Sequence, residues 1–201
     1  PQYDDFLIIP GIEVSTDRGH VLGLFITEQI SANQLDEAVH SIHAQGGLAV
    51  IAHPFEHSQD IHRLDDVIER FDGIEVWNGR ADRKNRQANA MALELAKYWN
   101  KPVTAGSDAH VSEEIGNGAV ILEVDALHLE SVRQALLQGA NQVQGKRGRS
   151  MCVAKSQLQK RRKTNAHASA YGKWALFAAK CFAEDCLTRK EKTHVIDCKT
   201  R

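Results

Sequence analysis

The sequence predicts an α/β fold built on a parallel sheet or a barrel. Three observations predict it. Short apolar, β-prone runs alternate with stretches of helical periodicity, the connections between them are short, and the apolar runs end on polar residues. In such folds functional groups collect at the C-terminal ends of the strands. His53, Asn78 and Asp108 all fall at such ends.

The elements follow in order. Within Ile8–Ile26, two β-prone stretches flank Thr16–Gly19 and read as a hairpin, which brings Glu13 near His20. A helix is expected over Ser31–Gln45, with Ser31 as N-cap, Leu35, Val39 and Ile42 on one stripe, and Gly46-Gly47 as its end. Leu48–Ala52 is a continuous apolar run, the pattern of a buried parallel strand, and empties at His53-Pro54. Helix Ile61–Phe71 and strand Gly73–Trp77 come next. A longer helix, Arg83–Trp99, carries Met91, Leu95 and Trp99 at spacing four. Strand Val103–Ala105, a turn at Gly116–Gly118, strand Ala119–Val124 and helix Leu129–Leu137 complete the pattern, which stops at Gly139. Farther on, the apolar run Trp174–Phe182 reads as a docking helix.

Charge divides the chain. The net charge of −1 hides 22 acidic and 10 basic residues over 1–140, against 4 acidic and 15 basic over 141–201. An acidic first part suits cation binding, and the basic part, Lys146–Lys163 above all, could meet nucleic acid or another polyanion. No aromatic residues interleave with these charges to stack bases, so any such contact is expected to be weak and independent of sequence. The organisation expected is 1–145 as a compact α/β unit and 146–201 as a basic, partly helical extension. No apolar run approaches the roughly 18–20 residues that span a bilayer. Cys152, Cys181, Cys186 and Cys198 lack CxxC spacing and read as free thiols of a reducing, cytoplasmic compartment. The first residue is Pro1 rather than Met, which reads as a removed N-terminus or a fragment.

Chemistry concentrates at three strand ends. Pro102–His110 (PVTAGSDAH) delivers Asp108 and His110 two residues apart, and in extended backbone such residues share a face. The same Gly-Ser-Asp is also good turn chemistry. With His53, Glu13 and His20 this makes a mixed oxygen and nitrogen donor set, which suits Zn, Mn or Fe better than Ca or Mg.

The motifs GIEVST, GHVLGLF, AVIAHPF, IEVWNGR and AGSDAH, in this order, resemble the PHP (polymerase and histidinol phosphatase) superfamily of metal-dependent phosphoesterases over residues 1–145. The resemblance implies a distorted (β/α)7 barrel, here incomplete at its N-terminus, holding two or three divalent ions. It implies Glu13 as a bridging carboxylate and His20, His53, Asp108 and His110 as further ligands. The family's opening His-x-His and later Asp-His motifs are absent from these residues, so fewer ions and weak or no activity are expected.

The function implied is phosphoester hydrolysis of a phosphorylated small molecule or nucleotide, with Glu13 and Asp108 in the catalytic cluster. Arg80 and Asn78 are the candidates for holding substrate, because a guanidinium fork matches phosphate, and His57 is the candidate for protonating the leaving group. Two other readings use the same residues: a non-catalytic module that binds metal or nucleic acid, and an amidohydrolase-type hydrolase.

Overall fold

Leu48–Ile51 is buried at every position, and so is Gly73–Asn78. A strand that reads as an unbroken apolar run must be covered on both faces, so these two segments mark the middle of the molecule. The architecture was obtained as a computed structural model that describes residues 6–60, 62–140, 142–188 and 193–198.

The order is β1 (Gly11–Thr16), β2 (Gly19–Leu24), α1 (Leu35–Ala44), β3 (Leu48–Ile51), β4 (Gly73–Asn78), α2 (Ala88–Tyr98), β5 (Val103–Gly106), β6 (Gly118–Ile121), α3 (Leu129–Gln138), β7 (Gln142–Gly145), α4 (Ser150–Lys163), α5 (Ala168–Leu187) and β8 (His194–Asp197). Strands β1 to β5 form one sheet in sequence order. β3, β4 and β5 run parallel, while the half-exposed β1–β2 hairpin joins them antiparallel through β2. Strands β6, β7 and β8 make a second, antiparallel sheet. The fold is therefore mixed α/β. Among the described residues both sheets are open and no closed barrel is present, because the hairpin turns back on itself and the chain leaves the first sheet after β5.

One core serves both sheets. Val21, Ile42, Ile51, Phe55, Ile68, Ile74, Val76, Leu95 and Val143 are buried in it together. The second sheet seats against the first at Gly145, where a Cβ would lie 1.9 Å from the Trp77 ring, so only glycine permits the approach. The Trp77 indole Nε1–H then donates to the Asn117 carbonyl at 2.9 Å.

Several boundaries differ from expectation, each for a visible reason. The first helix begins at Leu35 rather than near Ser31, and its N-terminal N–H at Leu35 donates to Asp17 Oδ1 at 2.9 Å. The cap thus comes from the β1–β2 turn, which no local pattern reveals. Ile61, the expected start of the next helix, lies outside the described residues. The residues after it form successive tight turns and a short 3-10 segment, Ile68–Arg70. Leu64, Val67, Ile68 and Phe71 are buried as a helix would bury them, but Lys101 Nζ takes the carbonyls of Glu69 and Phe71, at 3.2 and 2.7 Å. The helix expected from Arg83 starts at Ala88. A 3-10 turn, Ala81–Arg83, precedes it, and Asn85 donates to the Phe55 and Ser58 carbonyls.

The basic segment folds back. α4 and α5 pack together, and the Asp185 carboxylate accepts from the N–H groups of Ser150 and Met151, capping α4. Arg147 pairs with Asp82, Lys155 with Glu113 and Arg149 with Asp185. Part of the positive charge thus meets acidic groups of this same chain. The exposed Lys160, Arg162 and Lys163 occupy the last turn of α4, where they complement the helix dipole. Among the described residues no helix is long and apolar enough to cross a membrane.

A buried ion pair lies just past β4. Arg80 donates to both oxygens of Glu114, at 2.8 and 2.5 Å, and Glu114 is fully buried. Removing one partner of such a pair strands the other charge. Glu114→Ala is expected to lower the unfolding free energy by about 3–5 kcal/mol, read from chemical denaturation. A loss well under 1 kcal/mol would show that the pair is solvated.

Candidate metal centre

The sheet itself assembles the first three groups. In the β1–β2 ladder Glu13 stands opposite Leu22 and Ser15 opposite His20, so Glu13 and His20 are diagonal neighbours on one face. His53 lies two residues past the end of β3, and the Ala52 N–H between them donates to the His20 carbonyl at 3.2 Å, extending the antiparallel contact beyond the strand. Glu13 Oε1 lies 2.8 Å from His20 Nδ1 and 3.7 Å from His53 Nε2, and the two imidazole nitrogens are 3.0 Å apart. One carboxylate oxygen and two ring nitrogens therefore converge within 4.8 Å of one another.

His53 is held in place by a residue that the sequence reading passed over. Glu75, buried in β4, accepts from the His53 backbone N–H at 2.8 Å and lies 3.2 Å from His53 Nδ1. A carboxylate against Nδ1 assigns the proton to that nitrogen and leaves the Nε2 lone pair facing Glu13 and His20. Asn78 Nδ2 adds a hydrogen bond to the same Glu75 oxygen at 3.2 Å. Room for the carboxylate comes from Gly106, where a Cβ would lie 2.5 Å from Glu75 Oε1. The available signal was a lone charge inside an otherwise apolar strand.

Burial works against the His53 imidazolium, but the hydrogen bond and charge of Glu75, with Glu56 and Glu13, outweigh it and raise the pKa above the usual histidine value. His53 also adopts φ +28°, in the left-handed region that non-glycine residues rarely enter. Such strain persists only where surrounding contacts over-determine it, and here Glu75 grips both the backbone and the ring.

Asp108 and His110 form a second group. β5 ends at Gly106 and Asp108 turns to φ +49°, so the pair meets through a turn rather than along an extended strand. His110 Nδ1 lies 3.4 Å from Asp108 Oδ1, and the His110 backbone N–H donates to Glu114 at 3.0 Å. Burial pushes the Asp108 carboxyl up; the charges of His110, His53 and Arg80 pull against it and Glu13 adds to it. Asp108 therefore lies within the field of the first cluster. The three-group convergence does not include Asp108 or His110.

The remaining candidates are engaged elsewhere. Arg80, expected to grip phosphate, has its fork closed on Glu114. Asn78 is buried, and its Oδ1 accepts from the N–H groups of Arg80 and Ala81, so it shapes the loop after β4. His57 is exposed at the rim, 3.1 Å from both Glu56 and Lys84.

Could a divalent ion use this place? The donor set is mixed carboxylate and imidazole, the open nitrogen of His53 points into it, and a buried carboxylate stands behind that ring. This is the arrangement through which proteins orient metal-binding histidines. The residues fit.

Fold and site together define a mixed α/β protein with a carboxylate–imidazole centre at its strand ends. Residues 86–141, from α2 through α3, match the family described as PHP-associated. That stretch includes Asp108 and His110. Two uncharacterized proteins of Methanocaldococcus jannaschii are similar: MJ0417, 35% identical over 120 residues, and MJ1587, 36% identical over 74. These alignments cover 56% and 35% of this chain, and 50% and 42% of the relatives. The chain thus spans about half the length of the curated relatives it matches. Among solved structures, a two-domain protein of Bacteroides vulgatus containing a predicted PHP-like metal-dependent phosphoesterase overlaps it with TM-score 0.49 and 16% identity, over 75% of this chain and 49% of that one. PsfC of Pseudomonas syringae overlaps with TM-score 0.48 and 18% identity, over 76% and 65%.

The raised His53 value has a direct consequence. Its stabilisation is present below the ordinary histidine pKa of about 6.5 and is lost as pH rises through the higher folded value. Glu75→Gln is expected to lower the His53 titration midpoint in the metal-free chain, followed by NMR of the ring carbons. An unmoved midpoint would show that Glu75 does not control this imidazole.

Proposed function

We propose that this chain is part of a metal-dependent phosphoesterase, with Glu13, His20 and His53 holding a divalent ion and Asp108 and His110 extending the site. The observation that carries this reading is the convergence of Glu13 Oε1, His20 Nδ1 and His53 Nε2, with Glu75 fixing the His53 tautomer from behind. The match of residues 86–141, which carry Asp108 and His110, to the PHP-associated family agrees in direction. Zn, Mn and Fe are the metals this donor set favours. The (β/α)7 barrel belongs to the same proposal, since the matched relatives are longer than the span they share with this chain.

A bound divalent ion supplies Lewis acidity, acidifying water toward neutral pH and offsetting charge that gathers on phosphoryl oxygens. The chain's own residues do the rest. Glu13, at the centre of the convergence, places a negative charge that draws the cation between the two imidazoles. Glu75 keeps the His53 proton on Nδ1, so the ring presents a lone pair. Because ligation needs a neutral imidazole and the His53 pKa is raised, protons compete with metal at this nitrogen.

Calorimetric titration with Mn²⁺ or Zn²⁺, together with turnover of a generic aryl phosphodiester, tests the reading. Wild type is expected to bind one or two ions, with affinity rising from pH 6 to pH 8. His53→Ala is expected to lose more than about tenfold in affinity, and any turnover with it. Metal uptake that is unchanged in His53→Ala would reject this assignment of the site.

A further inference from the structure

A cleft of about 350 Å³ opens beside the cluster, lined by Arg18, His20, His53, Glu56, His57 and Arg63, with Asp17 and Ser58 also on its wall. The charges around it are unequally matched. Arg18 is paired with Asp66 through two hydrogen bonds of 2.7 Å. Glu56 is neutralised by Lys84 at 2.9 Å and touches His57 at 3.1 Å. Asp17 gives one oxygen to the Leu35 N–H at the start of α1.

Arg63 differs. Its Nη1 donates to the Arg18 carbonyl at 3.0 Å and its Nη2 to the Pro54 carbonyl, and its Nε has no hydrogen-bond partner. Both partners are neutral carbonyls, so the guanidinium is positioned without being neutralised. Half-burial and the repulsion of Arg18 push its pKa down, and of the carboxylates only Asp60 acts to raise it. A guanidinium has five N–H donors in a fixed fork, and the carbonyls take only part of that set. A half-buried cation in a cleft beside a metal-type donor cluster is an electrostatic deficit that an anion fills.

We infer that Arg63 is the anion anchor of this cleft, taking a non-bridging oxygen of a phosphate ester seated beside Glu13, His20 and His53. The identity of the ester rests on the phosphoesterase reading, while the demand for an anion rests on the guanidinium alone. Arg63 takes the role that the sequence suggested for Arg80, whose fork is closed on Glu114. The competing account makes Arg63 a clasp that only ties the Thr16–Gly19 turn to the loop after His53.

Inorganic phosphate, titrated at low ionic strength into the full chain with and without saturating Mn²⁺, separates the two accounts. The chains compared are wild type, Arg63→Lys, which keeps the charge, and Arg63→Gln, which keeps a donor without it. The expected result is phosphate affinity reduced about tenfold or more in Arg63→Gln, most of it retained in Arg63→Lys, and Mn²⁺ affinity unchanged in both. Phosphate affinity in Arg63→Gln equal to wild type overturns the inference, as does a wild type that takes up no phosphate in either state. Arg63-dependent phosphate binding without Mn²⁺ uptake would remove the metal reading and leave the anion site standing. Should Arg63→Gln fail to fold, NMR of arginine-labelled wild type decides: phosphate must shift the guanidinium signal that disappears in Arg63→Lys. A shift confined to other arginines overturns the inference.

Discussion

The contact between Glu75 and His53 is the constraint on which the arrangement of this molecule turns. A carboxylate buried in the middle of a parallel sheet has to be matched, and the match comes from the strand end next door. That one oxygen accepts from a backbone N–H, faces an imidazole and receives an amide N–H of Asn78. The strained turn at His53, the tautomer of its ring and the direction of its Nε2 all follow. Gly106, one strand farther along, is the other half of the device, because any side chain there would displace the carboxylate.

The same logic organises the neighbouring charges. Glu114 lies fully buried under Arg80 and also accepts from the His110 N–H, so the loop carrying Asp108 and His110 is anchored to the loop after β4. Two buried carboxylates thus fix the two loops that bear the candidate ligands. Neither is itself part of the open convergence. Stability and site geometry share these residues, so substitutions at Glu75 or Glu114 are expected to register in both.

Much of this was legible in the sequence. Apolar runs ending at His53, Asn78 and Gly106 announced parallel strands, and the hairpin announced the meeting of Glu13 and His20. What the sequence could not display was partnership at a distance. The cap of α1 arrives from Asp17 in the hairpin turn, and the expected helix near Leu64 gives way to tight turns whose last carbonyls are taken by Lys101. Arg80 looked like a phosphate ligand because an arginine past a strand end has that chemistry. Its actual partner, Glu114, lies 34 residues farther along the chain. The basic segment likewise looked unneutralised until Arg147, Arg149 and Lys155 found acids far away in sequence.

The central claim is that Glu13, His20 and His53 form one ion-holding place prepared by the sheet and by Glu75. A crystal soaked in Zn²⁺, with diffraction recorded on both sides of the zinc absorption edge, tests it most directly. The account predicts an anomalous peak enclosed by Glu13 Oε1, His20 Nδ1 and His53 Nε2, with the His53 ring unmoved against Glu75. Zinc bound only at exposed surface histidines, with these three side chains splayed apart, would contradict it.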